Sequence, residues 1–281
     1  MGRSAMVIGA GRLASALVPG LRAAGLEVAG VARSKAGRAR LRRLGARPAA
    51  LAEASAHALV LLAVPDGAVA EAAAALAPHL RRGQVVAHGA GALGLEPLAP
   101  VRARGAHPGS LHPVQALAGG PFAPGTVAAV DGDPAARRRL RALARALGLR
   151  PIAVPAAGRV GYHAAAVIAS NLTLALFDLA CQAWAEAGAP PAEAARALLP
   201  LLRGTVENLA ARGLPGALTG PASRGDAAVV ARQAAALQGE PGAAYRLLTR
   251  RLVALARRGG LPEARAAAVL RALAPPRRGR R

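Results

Sequence analysis

The 281-residue chain has one cysteine, Cys181, so no internal disulfide can form. A reducing compartment fits that absence, and the cytoplasm is the expected location. Aromatic residues are nearly missing: two Phe, two Tyr and one Trp leave almost no platform on which nucleic-acid bases could stack. Lysine is missing but for Lys35, the other basic residues being arginine, and acids are few, so the formal charge is +23. Such a balance invites a nucleic-acid partner. The charge is not gathered into a basic domain, however. Residues 1–155 carry 20 basic and 7 acidic residues, and residues 156–281 carry 17 and 7. With the heavy use of alanine this resembles a coding bias, and nucleic acid is not expected as a partner. The arginines at 277, 278, 280 and 281 read as a solvated tail.

Long apolar runs are missing too. The stretch Ala164–Leu176 is broken by Ser170, Asn171 and Thr173, whereas a spanning helix needs roughly 20 mostly apolar residues. No secretory leader is expected, because the apolar start Ala5–Ile8 runs straight into a glycine turn. A membrane partner is therefore not expected either. No His, Cys, Asp and Glu grouping has metal-ligand spacing, so no metal is expected.

What the chain does contain is alternation. Apolar runs at Ala5–Ile8, Glu27–Ala32, Ala58–Val64, Gln84–Ala87, Ala106–Leu111 and Thr126–Val130 are separated, for the most part, by helical stretches such as Leu13–Ala24, Val69–Leu80 and Ala135–Leu147. Pro151–Val154 is one further strand candidate. Strand alternating with helix predicts an α/β Rossmann domain with a doubly wound parallel sheet over 1–154. Beyond Pro155 no strand candidate appears. Ala156–Ala187 reads as one long helix stopped by Gly188 and Pro190, and further helices follow at Ala192–Leu202, Asp226–Gln238, Ala243–Arg257 and Pro262–Leu273. Residues 155–281 are therefore expected to form an all-helical domain, with a homodimer through its helices.

The strongest chemical signal lies at the head of the chain. Gly9, Gly11, Arg12, Leu13 and Ala14 fall in a G-x-G-x-x-A turn between the first strand and the first helix. The first glycine permits the tight turn, the second lets a pyrophosphate approach the backbone, and the small third residue lets helix and strand pack closely. A nicotinamide dinucleotide is the ligand this predicts. At the end of the second strand an NAD site usually places an acid for the ribose hydroxyls. Here stand Arg33, Ser34 and Lys35, which suit the 2′-phosphate of NADP, with Arg12 near enough in sequence to assist. Solvated charge is the alternative reading of the same residues.

Three histidines have suggestive positions. His112 ends a predicted strand before Pro113, and ligands of parallel sheets bind outside the carboxyl ends of the strands. His88 ends another, where Gly89 and Gly91 permit backbone approach to the nicotinamide side of the site. His163, Ser170 and Asn171 are spaced to share one face of the expected long helix, the first two within about 20° of each other. His163 would be the proton donor, Ser170 and Asn171 the orienting groups, and His112 a second candidate acid. The loop Thr219–Asp226 lacks periodicity. Thr219 and Arg224 are substrate candidates there, Arg224 as a clamp for a carboxylate, unless the segment is an ordered interhelical loop with Asp226 as a cap.

These motifs, taken with Val64-Pro65-Asp66, Gly109-Ser110-Leu111-His112-Pro113 and Tyr162-His163, resemble in their order the family that joins a Rossmann-like domain to a domain of unknown function, number 2520. The resemblance covers nearly the whole chain. That family is similar, at a distance, to pyrroline-5-carboxylate reductases, β-hydroxyacid dehydrogenases and ketopantoate reductases. It implies a helical second domain of the 6-phosphogluconate dehydrogenase C-terminal type. It implies hydride transfer from NADPH to a small 2-oxo acid or imine, with ketopantoate the leading named substrate. It also places Val64, Pro65 and Asp66 beside the nicotinamide ribose, although Asp66 as a helix cap is an equal reading. The β-hydroxyacid dehydrogenases carry G-x-x-G-x-G-x-x-x-K-x-x-N-N at the interdomain helix. This chain has Gly158, Gly161, His163, Val167, Ser170 and Asn171 in register with it, so the lysine is replaced by Val167. That replacement keeps two other readings open, a dinucleotide-binding sensor or scaffold without turnover and a deazaflavin-dependent reductase.

Overall fold

The structure, a computed structural model, describes residues 4–274. Residues 1–3 and 275–281, including the arginine-rich tail, lie outside the described residues. The chain divides into two compact units, Met1–Ser170 and Asn171–Arg281.

The first unit runs β1 (Ser4–Ile8), α1 (Arg12–Ala23), β2 (Glu27–Val31), α2 (Lys35–Arg43), β3 (Arg47–Pro48), β4 (Leu59–Leu62), α3 (Val69–Leu76), β5 (Val85–His88), α4 (Ala99–Ala103), β6 (His107–Pro113), β7 (Val127–Gly132), α5 (Pro134–Ala146), β8 (Arg150–Ile152) and α6 (Arg159–Ala169). The strands form one sheet in the order β3-β2-β1-β4-β5-β6-β7-β8. The crossover from β3 over β1 to β4 opens a crevice at the carboxyl ends of β1 and β4, where ligands of such sheets bind.

Alternation along β1 explains why both faces are covered. Ala5 and Val7 pack into one apolar cluster with α1 and α5, whereas Met6 and Ile8 pack into a second with α3. Successive side chains of a strand point to opposite faces, and a parallel sheet buries both. The doubly wound parallel sheet expected from the sequence is present with one exception: β6 and β7 pair antiparallel, Ser110 opposite Asp131 and His112 opposite Ala129. No helix joins these two strands, so nothing carries the chain back to make a parallel crossover.

The single long helix expected over Ala156–Ala187 is also corrected. It is broken at Ser170, which has φ −121° and ψ −79°. The Ser170 hydroxyl donates to the Ala166 carbonyl at 2.7 Å, a back-bond that bends helices. The first unit thus reaches past Pro155 to Ser170, because buried Arg159 ties α6 to the sheet. By length and composition the 31 residues Ala156–Glu186 are apolar enough to cross a membrane. The break and the anchoring of Arg159 to β6 and β7 run against their use as one continuous span.

The second unit is helical throughout: α7 (Asn171–Glu186), α8 (Pro191–Arg212), α9 (Pro221–Arg224), α10 (Ala227–Ala236), α11 (Gly239–Arg258) and α12 (Glu263–Ala272). Its core gathers Val230, Ala234, Val253, Ala266, Val269 and Leu273. On α7, α8 and α11, Leu174, Leu201 and Leu247 are 70%, 69% and 68% exposed.

Candidate active site

The turn between β1 and α1 has the geometry its glycines require. Gly9 has φ +111°, and a Cβ there would lie 2.2 Å from the Ala63 carbonyl oxygen. Only glycine tolerates both conditions. The Gly9 N–H donates to the Val31 carbonyl at 2.9 Å, which fixes the turn to β2. Gly11 caps α1 with no side-chain hydrogen bond. The nearest obstacle to a Cβ on Gly11 is the Ala63 carbonyl at 3.9 Å. The first-turn N–H groups of α1 are thus left open beside unobstructed backbone, which fits a pyrophosphate. Arg12 is exposed at the first position of α1, Leu13 is half-buried, and Ala14 is fully buried against the sheet.

The end of β2 is basic and already partly engaged. Arg33 pairs with Glu71 at 3.0 Å, both side chains being exposed. Ser34 caps α2, its hydroxyl accepting from the Gly37 N–H at 2.9 Å, and Lys35 opens that helix. Two arginines that the sequence reading passed over come in from α2. Arg38 donates to the carbonyls of Ala32 and Arg33 at 3.2 and 2.6 Å. Arg40 reaches the Ala10 carbonyl in the glycine turn at 3.3 Å.

The carboxyl ends of β4, β5 and β6 hold the remaining first-unit candidates. After β4, Val64 is half-buried while Pro65 and Asp66 are exposed. Asp66 starts a short 3-10 turn and no side-chain cap forms there, so its capping role is not observed. His88 is fully buried and both its ring nitrogens are engaged. Nε2 lies 2.8 Å from the Gly94 carbonyl, and Nδ1 accepts from the Ala90 N–H at 3.2 Å. A carbonyl only accepts and an amide only donates, so the proton sits on Nε2. Burial holds the pKa of His88 below the usual histidine value. Its imidazole therefore shapes the loop Gly89–Gly94. Gly89 is pressed by Leu13, whose Cδ2 would lie 2.1 Å from an added Cβ.

His112 and His163 meet over Gly91. Their ring centroids are 5.7 Å apart at 64°. A Cβ on Gly91 would lie 2.3 Å from His163 Cδ2 and 2.8 Å from His112 Nε2. His112 Nδ1 lies 2.9 Å from the Tyr162 hydroxyl, with the two rings edge to face. Burial first, then the neighbouring His163 and Arg159, push the His112 pKa down to about 4. Burial pushes the Tyr162 pKa up.

Beneath this cluster lies Arg159, only 2% exposed. Its guanidinium donates to Ser110 Oγ at 2.6 Å, to the Ala90 carbonyl at 3.4 Å and to Asp131 Oδ2 at 3.4 Å. Its Nε has no hydrogen-bond partner among the described residues. Arg159, Tyr162 and His163 follow an i, i+3, i+4 spacing, which puts all three on one face of α6. Sequence reasoning missed Arg159 because one arginine among dozens carries no signal. The clue was its position between Gly158 and Gly161, one turn ahead of Tyr162-His163.

Of the other expected site residues, Ser170 ends the first unit and Asn171, Thr219 and Arg224 belong to the second. The break at Ser170 interrupts the helix on which His163, Ser170 and Asn171 were aligned, and Asn171 opens the second unit. In that unit Thr219 and Arg224 are exposed, Arg224 ends α9, and Asp226 caps α10 by accepting from the Val229 N–H at 3.2 Å. Among the described residues no group of three His, Cys, Asp or Glu side chains is placed to hold a metal. A recess of about 450 Å³ lies at the opposite ends of β5 and β6, beside His107, Arg138 and Arg139, and is not part of this cluster.

A family model described as a Rossmann-like domain matches residues 3–113, and one described as a domain of unknown function, DUF2520, matches residues 126–252. No curated protein matches the chain. Solved structures do. A Bacteroides fragilis protein provisionally assigned as an NADP oxidoreductase is 24% identical, with a TM-score of 0.71 over 90% of this chain and 98% of that one. A Thermotoga maritima protein is 24% identical, with a TM-score of 0.69 over 91% of this chain and 99% of that one. An NADH-preferring ketol-acid reductoisomerase from an uncultured archaean is 14% identical, with a TM-score of 0.64 over 96% of this chain and 92% of that one. At these identities the likeness is one of fold.

Proposed function

Because the chain joins a Rossmann-like domain to a DUF2520 domain, we propose that it is an NADP-dependent oxidoreductase reducing a small 2-oxo acid or imine, with ketopantoate the leading candidate. The observation that carries the reading is the turn at Gly9 and Gly11. Positive φ, the crowding carbonyl of Ala63 and the uncapped start of α1 together make a cradle for a pyrophosphate. The cofactor, when bound, supplies the hydride. The chain's own residues bind and orient it and supply the proton. Arg33 and Lys35, with Arg12 and Arg40, provide positive charge for a 2′-phosphate, and Ser34 holds α2 in place behind them. The loop at Gly89 and Gly91, whose glycines make room for Leu13 and for the two histidine rings, is the candidate for the nicotinamide side, beside Val64, Pro65 and Asp66. His112 and His163 are the proton-donor candidates on the sheet side. Asn171, Thr219 and Arg224 are the second unit's candidates for holding the substrate.

The B. fragilis relative, provisionally assigned as an NADP oxidoreductase, supports the NADP reading, and the archaeal relative's preference for NADH shows that this fold serves either cofactor. A homodimer is proposed through α7, α8 and α11, because exposed leucines on three helices of one unit suit a second copy. The protein is placed in the cytoplasm on its cysteine usage. NADPH oxidation by the purified protein against a panel of 2-oxo acids and cyclic imines tests the proposal. Turnover of at least one panel member is the expected result. Tight NADPH binding without any turnover favours the sensor reading, to which Val167 and the back-bonded Ser170 hydroxyl lend support.

A further inference from the structure

We propose that Tyr162 is the positioning residue for His112: its hydroxyl donates to Nδ1, fixes the proton on Nε2, and directs a neutral N–H donor toward the side of Gly91 and the His163 ring. This inference rests on the reductase reading for its purpose, though not for its geometry.

The direction of the hydrogen bond follows from acidity. A phenol O–H is a far stronger acid than the N–H of a neutral imidazole, and an imidazole nitrogen is a far stronger base than a phenol oxygen. At 2.9 Å between Tyr162 Oη and Nδ1, the proton therefore lies on oxygen and points at nitrogen. Nδ1 is then the acceptor, and Nε2 must carry the ring proton. Nε2 makes no hydrogen bond among the described residues, and His112 remains partly exposed. It is thus the one free donor atom of the ring, and it sits at the carboxyl end of β6, where such sheets bind ligands.

The surroundings decide which charge state the ring holds. From α6 it faces Tyr162, His163 and the buried Arg159, from β5 His88, and from the turn after β4 Asp66. Two neighbouring imidazoles and a guanidinium oppose a positive ring, and the lone carboxylate in that set is exposed. His112 therefore works as a neutral donor that polarises a carbonyl oxygen or imine nitrogen, and not as an imidazolium. Arg159 has a second effect. Burial raises the Tyr162 pKa and the Arg159 charge, held by Ser110 and Asp131 one turn earlier, only opposes that rise, so the hydroxyl keeps its proton and remains the donor to Nδ1.

Two-dimensional ¹H–¹⁵N spectra of the histidine rings in the full chain report the tautomer without any turnover. In the wild type His112 is expected as the Nε2–H form, neutral to below pH 6. In Tyr162→Phe, which keeps the ring but not the hydroxyl, both tautomers should appear. His88 is the internal reference: its ring is fixed by Gly94 and Ala90, so unchanged His88 signals show that the variant is folded. Against an active substrate, Tyr162→Phe should lower kcat by up to about 100-fold with KM little changed, as misorientation of a reacting group does. The wild-type kcat profile should show no histidine limb between about pH 6 and 9. An Nδ1–H tautomer of His112 in the wild type, or an unchanged tautomer in Tyr162→Phe, overturns the inference. The expected tautomers in a protein that reduces nothing support the positioning role and count against the reductase reading alone.

Discussion

Gly91 and His112 stand so close that a single methyl group on Gly91 would lie 2.8 Å from the imidazole Nε2. The same methyl would lie 2.3 Å from Cδ2 of His163. Both obstacles are side chains, so Gly91→Ala should fold, with the two rings displaced. Turnover is expected to fall by about 10- to 100-fold through misplacement of the donor. Dinucleotide affinity, set at the other glycine turn, should change little. Steady-state kinetics with calorimetry on the same preparation checks this; wild-type turnover would show that the Gly91 face is not where the substrate sits.

Gly9→Ala differs in kind, because its obstacle is the backbone carbonyl of Ala63 at 2.2 Å and its φ is +111°. A strained backbone residue costs about 1–3 kcal/mol before any clash is counted. The variant should lose at least that in urea unfolding, or fail to accumulate, and should bind no dinucleotide. Full stability in the variant would mean that the turn is not built as described.

The cofactor prediction turns on Arg33. Its partner Glu71 is exposed at 68%, and such surface pairs contribute little. Arg33 is therefore expected to exchange Glu71 for a 2′-phosphate. NADPH should bind more tightly than NADH, and Arg33→Ala should narrow the gap by about 10-fold, the scale of one charge-assisted hydrogen bond. Glu71→Ala should widen it. Equal affinities of the wild type for the two cofactors, by calorimetry, would remove the basis of the NADP assignment.

Acid should destabilise the first unit before its carboxylates titrate. Burial depresses the pKa of His88 and, to about 4, that of His112. Below about 6.5 the unfolded chain takes up protons that the folded one refuses. Stability from these groups is therefore fully present above pH 6.5 and is lost as the pH falls from there toward 4. The melting temperature should drop across that window, and His112→Gln should flatten the drop. A wild-type melting temperature constant from pH 7 to 5 would count against buried neutral imidazoles.

For the two histidines, a hydrogen-bond donor aimed at developing negative charge contributes a factor of roughly 10²–10³. His112→Ala should lower turnover by about that amount with NADPH affinity nearly unchanged, and His163→Ala by less. The reverse order would return the donor role to His163.

The strands were legible because buried parallel strands are short apolar runs, and β1, β4 and β5 read so in the bare sequence. α2 was not legible: only Leu41 of its nine residues is buried, so it has no apolar stripe to find. The antiparallel pairing of β7 was invisible because apolar runs carry no direction. The turn at Gly9 and Gly11 between β1 and α1 was legible, since its backbone geometry is local. The Arg159, Ser110 and Asp131 contacts were not, because they join three elements at separations of 49 and 28 residues. The helix break at Ser170, where the hydroxyl donates to the Ala166 carbonyl, is a local backbone event that apolar periodicity does not encode.

The antiparallel strand has a consequence for what a domain means in this chain. The DUF2520 match begins at residue 126, one residue before β7 starts, while the Rossmann-like match ends with β6 at residue 113. Yet β7 and β8 belong to the same sheet as β1. The sequence families therefore divide a single folding unit, and a cut between their boundaries leaves β6 as a raw edge, its Gly109–Pro113 ladder open to any other strand. Two sequence matches thus share one sheet.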